Sequence, residues 1–417
     1  MKVKSMKINS FRGIRDLSLN FKPTQATVII GSNGVGKSSI LDCLAILLSS
    51  LTNEFIEQDE EKLTLKQEDI NNNRQETKNE ITILWENSQE VTWECSLFKT
   101  ARKNTASNIS VNKLIEKIDE KLTASSEQNL PLAIYYRVNR SVLDIPLRIR
   151  TKYAFEQSSA YYQALISDKN DFRLFFTWFR EREDLENEKR LNENNDYKDP
   201  QLEAVRQAIT SLMPDFTHLR IKRSPLCMTI IKQGEELIVN QLSDGEKCLL
   251  AMAGDLARRL AIANPNLSEP LQGNGVVLID EIELHLHPQW QRKIIPDLTR
   301  TFPNCQFIIT THSPQVLSHV QPERIYILEA TSKGIIACSP ESSFGRDSNQ
   351  ILANLMLTPE RPQEIKDSIL ELFRVIDQGD LENAKKLRQE IVAKIGEDEP
   401  ELVKAGVSIR RKEILGH

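Results

Sequence analysis

Four short stretches carry residue types whose spacing suits work on a phosphate. Gly31-Ser32-Asn33-Gly34-Val35-Gly36-Lys37-Ser38, followed by Ser39, has the pattern G-x-x-x-x-G-K-[ST]. Glycines so placed let successive backbone N–H groups curl around an anion, and a helix beginning there adds its partial positive charge. Lys37 is placed to reach the β- and γ-phosphates of a nucleotide such as ATP, and the Ser38 hydroxyl to ligate Mg2+. Val276 to Ile279 is an apolar run that ends in two carboxylates, Asp280 and Glu281. Asp280 is expected to hold Mg2+, usually through water, and Glu281 to polarise an attacking water. A second apolar run, Phe307 to Thr311, ends on His312, which can hydrogen-bond a γ-phosphate and orient the water. The fourth stretch is Leu242-Ser243-Asp244-Gly245-Glu246-Lys247. Ser243 there is either a plain helix N-cap or, with the backbone N–H groups about Gly245 and Glu246, a second γ-phosphate site.

His285 and His287, with Glu283 nearby, invite a metal reading, but no third and fourth ligand can be assigned. Catalytic metal chemistry is therefore expected only through Ser38 and Asp280.

These residues need particular elements beneath them. Ala26 to Ile30 is a continuous apolar run, the pattern of a strand buried on both faces, and a helix is expected from about Lys37 to Leu51. Residues 2–21 read as strands around a turn at Arg12-Gly13, and 80–85 and 90–98 as an alternating pair. Residues 52–78 are polar and read as a surface excursion. An amphipathic helix is expected near Val111 to Leu122, and a strand at Leu132 to Tyr136. From Phe155 to Met213 the pattern is helical, and 179–199 carries so few apolar residues that it reads as a solvated tip or frayed loop. Strands at 219–222, 227–232 and 236–239 precede a helix at 244–263. Alternating strands and helices then run to 328, and the remainder is largely helical, with an antiparallel helix pair across 361–395.

The composition sets bounds. The chain has 417 residues, 40% hydrophobic and 27% charged, with a formal net charge of −5. That balance disfavours a generic nucleic-acid binder, although a local basic patch is compatible with it. Six cysteines form no CxxC pair, which favours a reducing cytoplasm over a disulfide scaffold or zinc site. No apolar run is long enough for a signal peptide or a membrane span, so no membrane partner is expected.

The four motifs in this order resemble the ABC-type ATPases, whose signature is LSGGQ or LSxGE. In that family the signature of one subunit closes on the nucleotide held by its partner, so the resemblance implies a head-to-tail dimer. Three features narrow the resemblance. Phe11-Arg12-Gly13 with the GSNGVGKS form looks like RecF and the SMC-like repair ATPases, which marks Arg12 as a nucleotide contact. The stretch between Lys37 and Ser243 is longer than a transporter nucleotide domain is expected to have. DEIELHLHPQWQ resembles the overcoming-lysogenisation-defect ATPases. Gln157 and Gln163 are the candidates for the glutamine loop of such proteins.

The tail has no strand-borne D-x-D and hence no recognisable nuclease site. With Tyr135-Tyr136 and the Trp178 segment, its FGRDSNQILANLM stretch and the helical residues after it are similar to the PtuA ATPases of Septu-type and retron-associated antiphage systems. This resemblance implies a separate HNH nuclease subunit and contact with DNA or retron nucleic acid. It implies an α/β fold: an ABC-ATPase head with a mixed sheet, an antiparallel β subdomain, a helical insertion and a helical tail. The expected divisions are an ATPase lobe at 1–150, a helical lid or short coiled coil at 151–216, a second ATPase lobe at 217–330, and a docking region at 331–417. A RecF-like repair ATPase is the alternative; a transporter subunit fits less well.

Overall fold

The computed structural model describes residues 1–23, 26–53, 62–100, 105–107, 111–116, 129–138, 155–166, 172–192, 195–332 and 334–415. The chain opens with β1 (Lys2–Phe11) and β2 (Ile14–Asn20), passes through β3 (Thr27–Gly31) into α1 (Lys37–Thr52), and continues as β4 (Glu76–Leu84), β5 (Glu90–Phe98) and β6 (Thr105–Ser107). After β7 (Leu132–Tyr136) come α2 (Phe172–Asn192) and α3 (Pro200–Leu212). The antiparallel strands β8 (Phe216–Arg223), β9 (Leu226–Lys232) and β10 (Glu235–Ile238) come next. Helix α4 (Asp244–Ala263) then leads to β11 (Gly275–Ile279), α5 (Pro288–Thr301), β12 (Cys305–Thr310), α6 (Pro314–Leu317), β13 (Ile325–Thr331) and β14 (Gly334–Cys338). The chain ends in α7 (Ser348–Asn354), α8 (Gln363–Gln378), α9 (Leu381–Ile395) and α10 (Pro400–Leu415).

The central sheet has the order β14-β13-β3-β12-β11-β7, parallel except for β14 at one edge. Every residue of β7, β11 and β12 is buried, the pattern of strands covered on both faces. A second, antiparallel sheet has the order β2-β1-β4-β5-β6, and a third is β10-β9-β8. Helix α1 is enclosed between the first two. Ile40 to Ser49 are all buried, and the Trp93 indole N–H of β5 donates to Leu47 O at 2.9 Å. The fully buried Gln306 of β12 joins the sheets: its Oε1 accepts from Val3 N at 2.6 Å, and its Nε2 donates to Val3 O at 2.8 Å. An amide with both ends satisfied in this way is stable in a core that would punish an unpaired one.

Several segments differ from expectation. Strand β4 begins at Glu76, and Leu65, Asp69 and Ile70 are buried, so the later part of the 52–78 stretch is core and not a surface excursion. Ile70 pairs with Phe11, which explains the burial. Residues 54–61 lie outside the described residues. The 111–122 helix is present at 111–116, and its remainder lies outside them.

The charged stretch is not frayed over residues 179–192. Helix α2 runs to Asn192 and buries Glu183 and Glu186, the latter at 1% exposure. Glu186 forms a forked pair with Arg206 of α3, both bonds 3.1 Å, and accepts from Asp199 N at 2.9 Å. Glu183 accepts from Ile221 N of β8 and lies 3.3 Å from Arg223. Period counting sees such glutamates as solvated because their partners are distant in sequence. An aromatic stripe, Phe175, Phe176, Trp178 and Phe179, is buried in the preceding turns of α2.

The chain divides into two compact units, Met1–Arg346 and Asp347–His417. Strand β14, assigned to the helical tail from sequence, continues the sheet beside β13 instead. In the second unit the anticipated helix pair is α8 and α9, separated by Gly379 at φ 80° and an Asp380 cap on Asn383 N. Helix α10 adds Leu402, Ala405 and Ile409 to the shared core of Ile369, Leu372, Ala384 and Ile391.

Glu186→Ala leaves Arg206 without its fork and Asp199 N without an acceptor. Equilibrium urea unfolding should show a loss of about 3 kcal/mol, the usual cost of breaking a buried pair on one side. A loss near zero would show that the pair is solvated.

Candidate nucleotide site

Strand β3 ends on Gly31, and the loop returns to α1 through two left-handed glycines, Gly34 at φ 77° and Gly36 at φ 108°. A Cβ on Gly31 would come within 2.7 Å of Leu328 O, so the turn is closed by steric exclusion as well as by conformation. Val35 is buried and pins the loop, while Ser32, Asn33, Gly34 and Ser38 are exposed at its mouth, and Ser39 is half-buried. Lys37 is 6% exposed and donates from Nζ to Gly31 O and Ser32 O, both at 3.0 Å. Burial lowers its pKa, against the opposing pull of Asp280, Glu281 and Glu283. These carboxylates therefore lie near the ammonium although they are far along the chain.

Strands β11 and β12 pair in register, Ile279 opposite Ile309, so Asp280 and Thr310 emerge side by side. The fully buried Thr310 hydroxyl accepts from Glu281 N at 2.8 Å and donates to Asp280 Oδ1. One hydroxyl thus orients the metal-ligand candidate and the peptide that carries the base candidate. Glu281 sits at φ 47°, a conformation a non-glycine residue seldom adopts. Glu283 accepts from the Thr311 hydroxyl at 2.7 Å and from His312 N, which fixes the half-buried His312 just past the end of β12. Sequence alone offers Glu283 only as a metal ligand, and nothing in its spacing marks it as the anchor of this turn. Among the described residues, no group of three or more His, Cys, Asp or Glu is placed to hold a metal. His287 instead caps α5, accepting from Gln289 N at Nδ1.

The donor set fits a nucleoside triphosphate with Mg2+. It offers an exposed ring of backbone at 32–34, the Ser38 hydroxyl at the head of α1, a buried lysine, and a buried carboxylate at the end of the neighbouring strand.

Ser243 caps α4 in a reciprocal box. Its Oγ accepts from Glu246 N at 3.4 Å, and Glu246 Oε2 accepts from Ser243 N at 2.8 Å. Lys232 of β9 also donates to Glu246, at 2.6 Å. Burial opposes the charge of Glu246, but Lys232 and Ser243 outweigh it and hold the pKa below its ordinary value. Gly245 packs so closely on the loop after β11 that an added Cβ would collide with His285 O. Ser243 and Asp244 remain exposed.

Arg12, expected on the nucleotide, is paired with carboxylates here. Its Nη1 donates to Asp42 Oδ2 and its Nε to Asp69 Oδ1 at 2.9 Å. Burial works against this guanidinium, yet the two carboxylates raise its pKa. Asp42 also accepts from Arg137 Nη1 at 2.7 Å. Neither Asp42 nor Arg137 stands out in the sequence, because the residues joining them come from three distant stretches. Gln157 donates to Ala263 O at the end of α4, and Gln163 to the hydroxyl of its neighbour Tyr162.

Residues 26–318 match the family described as "AAA domain, putative AbiEii toxin, Type IV TA system". The chain is 30% identical to "Retron Vc95 probable ATPase" of Vibrio cholerae serotype O1 biovar El Tor, over 90% of this chain and 82% of that protein. It is 28% identical to "Retron Ec83 probable ATPase" of Escherichia coli, over 99% of this chain and 87% of that one. A "Septu protein PtuA" of Bacillus thuringiensis is 25% identical over 76% of this chain and 72% of its own length.

Thr310→Val keeps the volume and removes the shared hydroxyl. Any phosphate hydrolysis at this site should slow about tenfold or more while nucleotide affinity changes little, since positioning of the base and not the cradle is disturbed. Steady-state kinetics with a direct binding titration checks this; equal rates for both proteins would remove Thr310 from the mechanism.

Proposed function

The chain belongs to the AAA-domain family matched by residues 26–318, as a P-loop ATPase related to the retron and Septu PtuA ATPases. On that premise we propose that it binds ATP with Mg2+, hydrolyses it at a site completed by a second copy of itself, and serves as the ATPase subunit of an antiphage defence complex. The observation that carries this reading is the grouping of Lys37, Asp280 and Glu281 around one cradle, with Thr310 orienting the two acids.

The residues divide the work. Backbone N–H groups of Ser32 to Ser38 receive the phosphates, and Lys37 turns from its carbonyls to the β- and γ-phosphates. Ser38 and Asp280 are the residues that would hold Mg2+, which when bound offsets phosphate charge. Glu281 accepts a proton from the water that attacks the γ-phosphorus, as the bond to the β–γ bridging oxygen breaks and ADP leaves. His312, held by Glu283, hydrogen-bonds the γ-phosphate and keeps that water in line.

The second copy is invoked for the signature. Ser243 is exposed at the head of a 20-residue helix, where its hydroxyl and the α4 N-terminus can meet a γ-phosphate presented by another protomer. Resemblance to ABC-type ATPases supports this head-to-tail arrangement. The retron and Septu names of the relatives support the defence role and, through it, an HNH nuclease subunit that cuts nucleic acid under control of the ATPase. Contact with DNA or retron nucleic acid belongs to the same reading. The cysteine pattern supports a cytoplasmic setting; no helix among the described residues is long and apolar enough to cross a membrane. The unit at Asp347–His417 is our candidate for partner docking, and the chain alone is expected to leave DNA uncut.

Glu281→Gln should bind ATP normally, hydrolyse it at least a hundredfold more slowly, and accumulate as an ATP-bound dimer on size-exclusion chromatography. Turnover at the wild-type rate would show that Glu281 is not the base. Ser243→Arg should keep mononucleotide binding while dimer and turnover are both lost, because the larger side chain fills the partner's γ-phosphate pocket. Full activity of this variant would refute the head-to-tail site.

A further inference from the structure

Behind the phosphate cradle lies a charge arrangement that the roles above leave unused. Asp42 is four residues beyond Ser38 on α1, hence on the same helix face and about 6 Å further along the axis. It is 8% exposed. Each of its oxygens takes one arginine: Oδ2 accepts from Arg12, and Oδ1 accepts from Arg137 at 2.7 Å. Asp69 takes the other side of Arg12 at 2.9 Å. Arg137 leaves the end of β7, where Tyr136 O accepts from Asp280 N at 2.9 Å. Its guanidinium lies 4.5 Å from the centroid of the Tyr135 ring. Burial raises the pKa of that phenol, and Asp42 and Asp280 raise it further, so both carboxylates approach one ring. Arg137 is thus built into the junction of the P-loop helix and the acidic strand end, three-quarters buried and held by a charge and a ring.

We propose that Arg137 is a positioning residue of the ATP site: together with Arg12 it neutralises Asp42, so that a polyphosphate entering the cradle meets no buried anion one helical turn behind it. The inference rests on the ATP reading above. ATP brings about four negative charges, and Mg2+ and Lys37 offset only part of them. An uncompensated carboxylate at the rear of the cradle would repel the remainder through a medium that screens poorly. Arg12 alone does not discharge this task, because it is shared with Asp69. The two arginines and two aspartates balance to zero only when Arg137 is present.

The test is a charge-reversal cycle on the full-length protein, read by KM, kcat and titration with a fluorescent ATP analogue. Arg137→Ala should raise KM and the dissociation constant about tenfold with kcat nearly unchanged, the scale expected of one uncompensated charge at this range. Arg137→Lys keeps the charge and should stay within about twofold of wild type. Asp42→Asn should not weaken binding, and Arg137→Ala combined with Asp42→Asn, which restores the charge balance, should return affinity to about the wild-type level. A merely structural role would instead lower kcat and the apparent melting temperature together, and the second substitution would not rescue it. Equal weakening in the single and double variants, or none in Arg137→Ala, overturns the proposal. Lys37→Ala separates the two levels: if it binds nucleotide as wild type does, the ATP site itself is misassigned.

Discussion

The register of three parallel strands governs the chemistry of this molecule. Ile279 of β11 lies opposite Ile309 of β12 on one side and Tyr136 of β7 on the other. The next residues, Asp280, Thr310 and Arg137, therefore stand at one level at the ends of their strands. Shifting one strand by a residue would turn the side chain at its end to the opposite face and break the Thr310 bridge to Asp280 and Glu281. The apolar runs that fix this register are also buried along their whole length. The energy that holds the sheet together and the geometry that aims the acids thus come from the same residues.

Most of the site's primary elements were legible because they are local. The cradle needs glycines at fixed intervals between a strand and a helix, and Gly31 to Ser38 stand in consecutive positions. Asp280 and Glu281 follow an apolar run directly, as His312 follows another. What the sequence concealed is the set of long-range partners. Thr310, Glu283, Asp42 and Arg137 act on residues 28 to 95 positions away, and no local period records such pairings. Arg12 was legible as an unusual residue, but its tie to Asp42 and Asp69 was not.

The charged stretch of α2 carries the same lesson in another form. A run such as FREREDLENEK reads as solvated because all but Phe179 and Leu185 are polar, yet Glu183 and Glu186 are buried against Arg206 and Arg223. Whether a glutamate faces water depends on whether a cation awaits it across the fold. Strand β14 shows the reverse case. Five residues with an exposed Ile336 make a weak local signal, and pairing with β13 alone makes them a strand.

The contact of Gly245 with His285 O also governs how freely this sequence can drift. Because a carbonyl oxygen occupies the place of a side chain, no residue with a Cβ fits there unless the loop after β11 retreats. Ser243 and Asp244, both exposed, are free of that particular obstacle. Descendants of this chain that keep the packing are therefore expected to vary around an unchanging glycine, and any replacement there should arrive together with a rebuilt 281–287 loop. In this fold, a motif usually defined by what it binds is restricted first by what its own backbone touches.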